Sequence, residues 1–384
     1  MDGRECQTAV HCSLNEVGKP CFFLGESCFS VYEEMASQLR QLGWREVRSK
    51  SRIGTCDLIL GDRFTIPYHL LRCEPLLPDS HFGGRRWVNY FRGSHRLTLK
   101  ASMARLLREA DSTSQHWMPR TFVLGGEQEK RKDDRFLFLK EAEAHPAEVW
   151  IIKPSSGSKG QGILLVQSLN EIEQFIDALD PRGRSLFVAQ RYVDRPLLYC
   201  GRKFDIRVWA LLTCPYTVYA FSQGSCRRDD ISDRLVHVTN HCLQEGSEHF
   251  GRYEGGNELW FEQLSAYLIE VYKTDVLGSC IWPQIANIIV RTLLAVREEL
   301  KVFPDEPYRC FQMFGYDLIV EEGMIVRLLE INGSPGVAVR YLKTVVREIL
   351  ALVNGGDSPR QWDVELVGFV KLWCDGDTEP QAAE

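Results

Sequence analysis

The sequence predicts an α+β fold, α/β-like in parts, and three observations predict it. Apolar runs of strand length and amphipathic stretches of helix period are mixed along the 384 residues. Gly-bearing turns such as Gly61-Asp62 and Glu322-Gly323 punctuate them. No internal repeat or low-complexity tract imposes a one-dimensional architecture. A chain of this length holds two or three domains of ordinary size.

Residues 1–20 show no periodicity and are expected to form a disordered extension. A small N-terminal α/β domain is expected over residues 21–74. It holds a strand at Phe22-Phe23-Leu24, a helix from Tyr32 to Leu42 and a strand at Leu58-Ile59-Leu60. A central domain follows over 75–190. A charged stretch from Glu127 to Glu143 reads as a loop, Val149–Ile152 and Gly162–Val166 as strands, Asn170–Leu179 as a helix and Leu186–Val193 as a strand. The C-terminal domain, 191–384, opens with strands Phe204–Thr213 and Thr217–Phe221. Helices near Glu258–Tyr272 and Pro283–Val302 come next, then a hairpin about Glu322-Gly323 and a helix from about Val337 to Val353.

Composition excludes several classes. Hydrophobic residues make up 44% and charged residues 26%, ordinary values for a folded domain. No run of eighteen apolar residues exists, and the first residues lack an apolar h-region, so neither a membrane span nor a secretory leader is expected. The cysteines number 13, an odd count without a Cys-x-x-Cys pair, so reduced thiols are expected rather than disulfides or a zinc ribbon. A net charge of −6 argues against nucleic acid as a partner. Against that background Arg85, Arg86, Arg92, Arg96, Lys100, Arg105 and Arg108 form a basic segment. It suits either a docking surface for an acidic partner or a solvated helix face.

Four groups of residues can carry chemistry. Lys153 to Gly162 holds three glycines, three serines and two lysines between two strands. Such a loop can close over phosphates with its N–H groups and with Lys153 and Lys159, although a surface hairpin has the same composition. It matches neither a Walker A loop nor a dinucleotide fingerprint. In Lys203-Phe204-Asp205-Ile206-Arg207-Val208, alternation puts Lys203, Asp205 and Arg207 on one face, a set able to hold ribose hydroxyls and phosphate oxygens. An ordinary half-exposed strand reads the same way.

The hairpin is the strongest signal. Pairing Glu321 with Met324 sets Asp317 opposite Leu328 and Gly315 opposite Glu330, so that Asp317, Glu330 and Asn332 share a face. Two carboxylates and an amide oxygen among apolar residues suit Mg²⁺ held with a nucleotide's phosphates. Lastly, Thr239 and Asn240 can contact a phosphate or a metal-bound water and Arg227 can neutralise developing charge, although a Thr-Asn pair also caps helices.

Taken in order, these pieces resemble the tubulin–tyrosine ligase family of the ATP-grasp superfamily. The motifs that carry the likeness are Trp87-Val88-Asn89-Tyr90-Phe91-Arg92-Gly93, Trp150 to Ser156, Arg202 to Arg207, Thr239-Asn240-His241-Cys242, Gly251 to Glu258 and Glu330 to Pro335. The resemblance implies an ATP-grasp fold whose two sheets enclose the nucleotide. It places ATP phosphates near Lys153 and Lys159, and the adenine against a hinge of Gln190, Arg191, Tyr192 and Val193. Lys203 and Asp205 would serve the ribose side, with Thr239 and Asn240 also on the nucleotide. Arg207 and Arg227 would meet the γ-phosphate and the acceptor carboxylate, and Asp317, Glu330 and Asn332 one or two Mg²⁺ ions. Arg207, Arg227 and Glu330 are thus the expected catalytic residues.

The implied reaction is amide formation through an acyl phosphate. The Thr239–Cys242 and Gly251–Glu254 stretches, with a sequence that stops soon after the ligase core, point to addition of free L-tyrosine to the C-terminal glutamate of detyrosinated α-tubulin. A tubulin glutamate or glycine ligase is the alternative, and an inactive tubulin-binding protein a further one. A cytoplasmic, cytoskeleton-associated monomer acting on the acidic tail of α/β-tubulin is the corresponding expectation.

Overall fold

The computed structural model of the chain describes residues 19–25, 29–73, 85–125, 133–156, 161–179, 185–229, 258–354 and 366–378, apart from the side chains of 227–229 and 354. The expected disordered extension falls almost wholly outside them.

Four strands open the chain: β1 (Cys21–Leu24), β2 (Arg45–Val47), β3 (Leu58–Leu60) and β4 (Arg86–Val88), joined in parallel. The next four are β5 (Thr121–Leu124), β6 (Trp150–Pro154), β7 (Leu164–Val166) and β8 (Phe187–Arg191), an antiparallel sheet in the order β5-β8-β6-β7. The remainder are β9 (Leu198–Tyr199), β10 (Arg202–Thr213), β11 (Thr217–Phe221), β12 (Ser225–Asp229), β13 (Glu258–Trp260), β14 (Tyr308–Val320), β15 (Val326–Asn332) and β16 (Phe369–Cys374). These pair antiparallel among themselves. β14 also runs parallel to β4 through Tyr308, Arg309 and Cys310, so the strands of the N-terminal segment continue the same large sheet. The result is the α+β class with two sheets.

Alternation along the two long strands places the site. On β10, Phe204, Ile206, Val208, Ala210 and Leu212 enter the core on one side of the large sheet, against the helices Phe261–Tyr272 and Trp282–Ala295. Trp209 and Leu211 enter a second core on the other side, beneath the helices Ser30–Gln41 and Val339–Asn354. Along this second face β14 contributes Phe311 and Met313. The residues that continue it are charged or small: Lys203, Asp205 and Arg207 on β10, Gly315 and Asp317 on β14. Apolar residues therefore cover half of one sheet face with helices, and the other half is polar ground.

The smaller sheet has its own core. Phe122, Phe138 and Trp150 pack mutually, with ring centroids 5.1–5.7 Å apart, beside Ile152 and Ile172. Phe138 comes from a helix, Arg135–Ala144, in the stretch read as a loop. Phe136, Leu137, Phe138 and Leu139 are consecutive, so no helical period is visible there, and Phe136 and Leu137 remain exposed. Residues 258–260 are a strand preceding the helix Phe261–Tyr272 rather than its first turn.

The C-terminal strand β16 was not foreseen. It lies on β11 and is fixed by Glu348, a wholly buried carboxylate that accepts the N–H groups of Val367 at 3.0 Å, Gly368 at 3.2 Å and Phe369 at 2.8 Å. A helical run, Leu277–Ala295, is by length and composition apolar enough to cross a membrane. Its Ile281, Ile285, Ile288, Ile289 and Leu293 are packed into the main core of the large sheet.

Candidate functional site

On the polar half of the sheet face, charges of both signs converge. Arg207 and Asp317 are cross-strand partners, and the guanidinium binds the carboxylate through two N–H groups, Nε to Oδ1 and Nη2 to Oδ2 at 2.7 Å. Asp317 stands directly opposite Glu330, and Gly315 opposite Asn332. The expected register is thereby corrected by two residues. The turn is longer than predicted because Met324 takes a left-handed φ of 60°, and Val320 pairs with Val326. A bulge between Asp317 and Leu318 then adds one residue more. Two shifts of one residue restore the parity, so Asp317, Glu330 and Asn332 still share a face. The Asn332 Nδ2 donates to Asp317 at 3.0 Å and to Glu330 at 3.3 Å.

Glu330 meets a residue that the sequence reading placed elsewhere. Lys100 Nζ lies 2.9 Å from Glu330 Oε2. Burial alone would raise the Glu330 carboxyl, but the charges of Lys100 and Lys153 and its hydrogen bonds outweigh that and hold it well below the usual carboxylate range. Lys100 opens the helix Lys100–Ala110, whose first N–H groups are taken by Ser155: Lys100 N by its carbonyl at 3.2 Å and Ala101 N by its Oγ at 3.1 Å. The start of the Lys153–Gly162 loop is thus pinned to the element that carries Lys100. Only the tertiary fold brings Lys100 here. In sequence it is one cation in a basic run.

That run does not form one surface. Arg86 is fully buried, donating to the carbonyls of Leu71 at 3.4 Å and Gly54 at 3.0 Å; Arg96 faces Glu299 and Arg108 faces Asp134.

The smaller sheet supplies the other wall. Lys153, at the end of β6, donates to Gln190 Oε1 at 3.0 Å, and Gln190 Nε2 donates to Thr121 at 3.1 Å. Burial pulls the Lys153 ammonium down to about 8, with Glu330 acting against it. Lys203 Nζ crosses between the sheets to the Tyr192 hydroxyl at 3.1 Å and sits 4.7 Å from the centre of that ring. Asp205 is buried beside Lys203 and Arg207 on the same strand face. Val193 is buried, whereas Arg191 turns its guanidinium to Glu148 and Glu321 at 3.7 and 3.5 Å. The backbone N–H groups of Arg191 and Tyr192 are taken by the carbonyls of Arg120 and Val149.

Of the residues predicted, Lys153, Gln190, Tyr192, Lys203, Asp205, Arg207, Asp317, Glu330 and Asn332 come together. Arg191 is directed elsewhere by its ion pairs. Arg227 is paired with Asp205 across β10 and β12 by backbone register, with its side chain outside the description. Lys159, Thr239 and Asn240 lie outside the described residues.

Asn332 leads into a turn that other residues brace. Gln312 donates to the Gly333 carbonyl at 3.0 Å and Trp209 Nε1 to the Gly336 carbonyl at 3.0 Å. A side chain at Gly315 would meet Pro335 at 2.5 Å. Among the described residues no three His, Cys, Asp or Glu side chains cluster to hold a metal. A hard cation here would have two carboxylates and one amide oxygen, with Asn332 turning its oxygen inward.

A family model described as "Tubulin-tyrosine ligase family" matches residues 82–353. A Tetrahymena thermophila protein named probable alpha-tubulin polyglutamylase Ttll1 is 33% identical over 265 residues, 63% of this chain and 61% of its own length. Tubulin monoglutamylase TTLL4 of Mus musculus is 26% identical over 272 residues, 65% of this chain and 21% of its own. Probable tubulin polyglutamylase ttll-9 of Caenorhabditis elegans is 26% identical over 279 residues, 67% of this chain and 64% of its own. The chain thus spans less than two thirds of the length of each of these relatives. All are named for glutamate, which corrects the expectation of tyrosine addition and of free L-tyrosine as substrate. The motif stretches on which that expectation leaned, Thr239–Cys242 and Gly251–Glu254, lie outside the described residues. With its match covering most of the sequence and the motif residues brought together at the junction of two sheets, the chain belongs to the tubulin-tyrosine ligase family.

Proposed function

We propose that the chain is an ATP- and Mg²⁺-dependent ligase that joins the amino group of glutamate to a carboxylate in an acidic protein tail, with tubulin as acceptor. The observation that carries the ligase reading is the facing of Asp317, Glu330 and Asn332 by Lys100, Lys153, Lys203 and Arg207 where the two sheets meet. The choice of glutamate rests on the names of the relatives.

The donor set fits the group it would hold. Two carboxylates and an amide oxygen are hard oxygen ligands suited to Mg²⁺. Lys153 and Lys203, on opposite sheets, suit a polyanion lying between them. Bound Mg-ATP would supply the phosphoryl group that activates the acceptor carboxylate as an acyl phosphate, open to attack by an amine. The chain's own residues supply position and charge. Asp317, Glu330 and Asn332 would hold the cation and Lys153 the phosphates, oriented by Gln190. Arg207, released from Asp317, would neutralise charge on the transferring group. Lys159, Thr239, Asn240 and Arg227 would add to the phosphate side, and Val193 to the base. A tubulin acceptor would place the protein at the cytoskeleton.

Lys153 gives this reading a pH signature. An ammonium with its pKa near 8 is charged at pH 7 and largely neutral at pH 9, so affinity for ATP is expected to fall across that interval. Above pH 8 binding should take up a proton. Calorimetry in buffers of different ionisation enthalpy reads both, and Lys153→Arg, which stays charged, should flatten the pH dependence.

The direct test is ATP-dependent incorporation of labelled glutamate into purified tubulin, with glycine and tyrosine in parallel. Incorporation of glutamate alone is expected. Incorporation of another amino acid alone, or of none, would sink the proposal.

A further inference from the structure

Two thiols meet in the N-terminal strands, outside the candidate site. Cys21 opens β1, and Cys56 stands two residues before β3. The parallel pairing of Phe22 with Leu58 sets Cys21 beside Asp57. Backbone and side chain then lock the two segments together. Asp57 N donates to the Cys21 carbonyl at 2.9 Å, and Cys21 N donates to Asp57 Oδ2 at 2.8 Å. Both sulfurs lie against one short 3₁₀ turn, Lys50–Thr55: Cys21 Sγ is 3.1 Å from the Thr55 carbonyl oxygen and Cys56 Sγ 3.7 Å from that of Arg52. The two thiols also share a hydrogen bond and one apolar cluster.

The turn that presents Cys56 is braced on every side. Cys56 N donates to the Ile53 carbonyl at 3.0 Å, Thr55 Oγ1 to the Arg52 carbonyl at 2.8 Å, and the buried Arg86 guanidinium to the Gly54 carbonyl at 3.0 Å. The sulfurs are thus held together by the fold, with no need for a loop to close.

Charge around the pair favours one thiolate. The hydrogen bond from Cys56 holds the Cys21 thiol below the ordinary range, against burial and the Asp57 carboxylate, and Arg45 acts in the same direction. Arg45 is the cross-strand neighbour of Cys21 on β2, and its buried Nε has no hydrogen-bond partner among the described residues. The Cys56 thiol is raised, first by that same hydrogen bond and then by burial. The pair therefore loses its first proton easily and its second with difficulty. Both thiols are buried, yet only shallowly: Lys19 and Thr55, which flank Cys21 in sequence and in space, are exposed.

We propose that Cys21 and Cys56 are a redox modification site that hydrogen peroxide converts to a disulfide. The Cys21 thiolate attacks one peroxide oxygen. An S–O bond forms, the O–O bond breaks, and the departing hydroxide takes a proton from solvent to become water. The Cys56 sulfur then attacks the Cys21 sulfenic acid. The S–S bond forms, the S–O bond breaks, and the hydroxyl leaves as a second water with the Cys56 proton. Two electrons pass from the sulfurs to peroxide. The link ties β1 to the turn before β3. Peroxide is a two-oxygen molecule small enough to reach sulfurs that a bulky disulfide reagent could not.

The test is peptide mapping of the folded full chain after brief exposure to hydrogen peroxide, with remaining thiols alkylated only after quenching and denaturation. A Cys21–Cys56 linked peptide is expected, and dithiothreitol should restore both thiols. In Cys56→Ser the sulfenic acid should persist on Cys21 and be captured by a 1,3-diketone; in Cys21→Ser, Cys56 should remain a thiol. Wild-type mapping needs no variant to fold. Exposed Cys73 and Cys200 serve as internal controls. Their oxidation while Cys21 and Cys56 both remain thiols would overturn the proposal. So would a disulfide from Cys21 to any other cysteine, a link that forms only in the denatured chain, or a sulfenic acid found on Cys56 rather than Cys21.

Discussion

Glu330→Gln is expected to reduce glutamate ligation by roughly 10²–10³-fold, about 3–4 kcal/mol of transition-state stabilisation. The exchange keeps the size and planarity of the side chain and removes only its charge. That charge opposes Lys100 at 2.9 Å and stands across from Asp317. With it gone, a cation held here has one carboxylate where it had two, and Lys100 faces a neutral oxygen. The same substitution has a stability signature of known sign. The folded Glu330 carboxyl titrates below its unfolded range, so its contribution is fully present above that range and is lost progressively as the pH falls from there through the lower folded value of about 2. The variant should lack this acid-side component of unfolding while keeping its circular dichroism at pH 7. Substantial ligation by the glutamine variant would remove Glu330 from the cation site; activity retained by Glu330→Asp alone would support a need for charge.

Glu348→Ala should be the most destabilising single change, at about 3–5 kcal/mol, because it strands several buried N–H groups at once. Glu348 is wholly buried and accepts from Val367, Gly368 and Phe369, which lead into β16. A Cβ at Gly368 would come within 2.0 Å of the Phe221 ring, so the backbone runs flush against the core. Loss of the carboxylate should free β16 from β11, expose Trp373 and Phe369, and lower Tm without any change at the candidate site. Tryptophan emission and limited proteolysis near residue 366 would report the release; a Tm close to wild type would mean that sheet pairing alone holds the strand.

Much of the candidate site was legible because its residues lie on long strands, where a period of two assigns faces without tertiary information. Lys203, Asp205 and Arg207, and separately Asp317, Glu330 and Asn332, were grouped in that way and are found grouped. The register between Asp317 and Glu330 was not legible, since it depends on a left-handed Met324 and a bulge that no alternation announces. Lys100 was missed for a different reason. Its role depends on Ser155 capping its helix from 55 positions away in sequence, and a basic run conceals the one cation that turns inward. Arg86 shows the converse, a buried structural cation that resembled a docking residue. The helix Arg135–Ala144 and the strand β16 were lost to short or consecutive apolar runs.

The continuity of the large sheet bears on how the protein could open. Backbone hydrogen bonds run from β2 through β1, β3 and β4 into β14 and on to β10, so one unbroken ladder joins the N-terminal segment to the strands carrying Arg207 and Asp317. Among the described residues the four-stranded sheet shares no ladder with it. It enters at Thr121 and leaves at Arg191, and a bridge between Pro196 and Glu321 ties the chain back soon after. Any jaw-like motion therefore hinges on the short stretches before residue 121 and after residue 191. Its swing would carry Lys153, Gln190 and Tyr192 away from Lys203 and Glu330, while the carboxylates and Arg207 keep their mutual geometry in both positions.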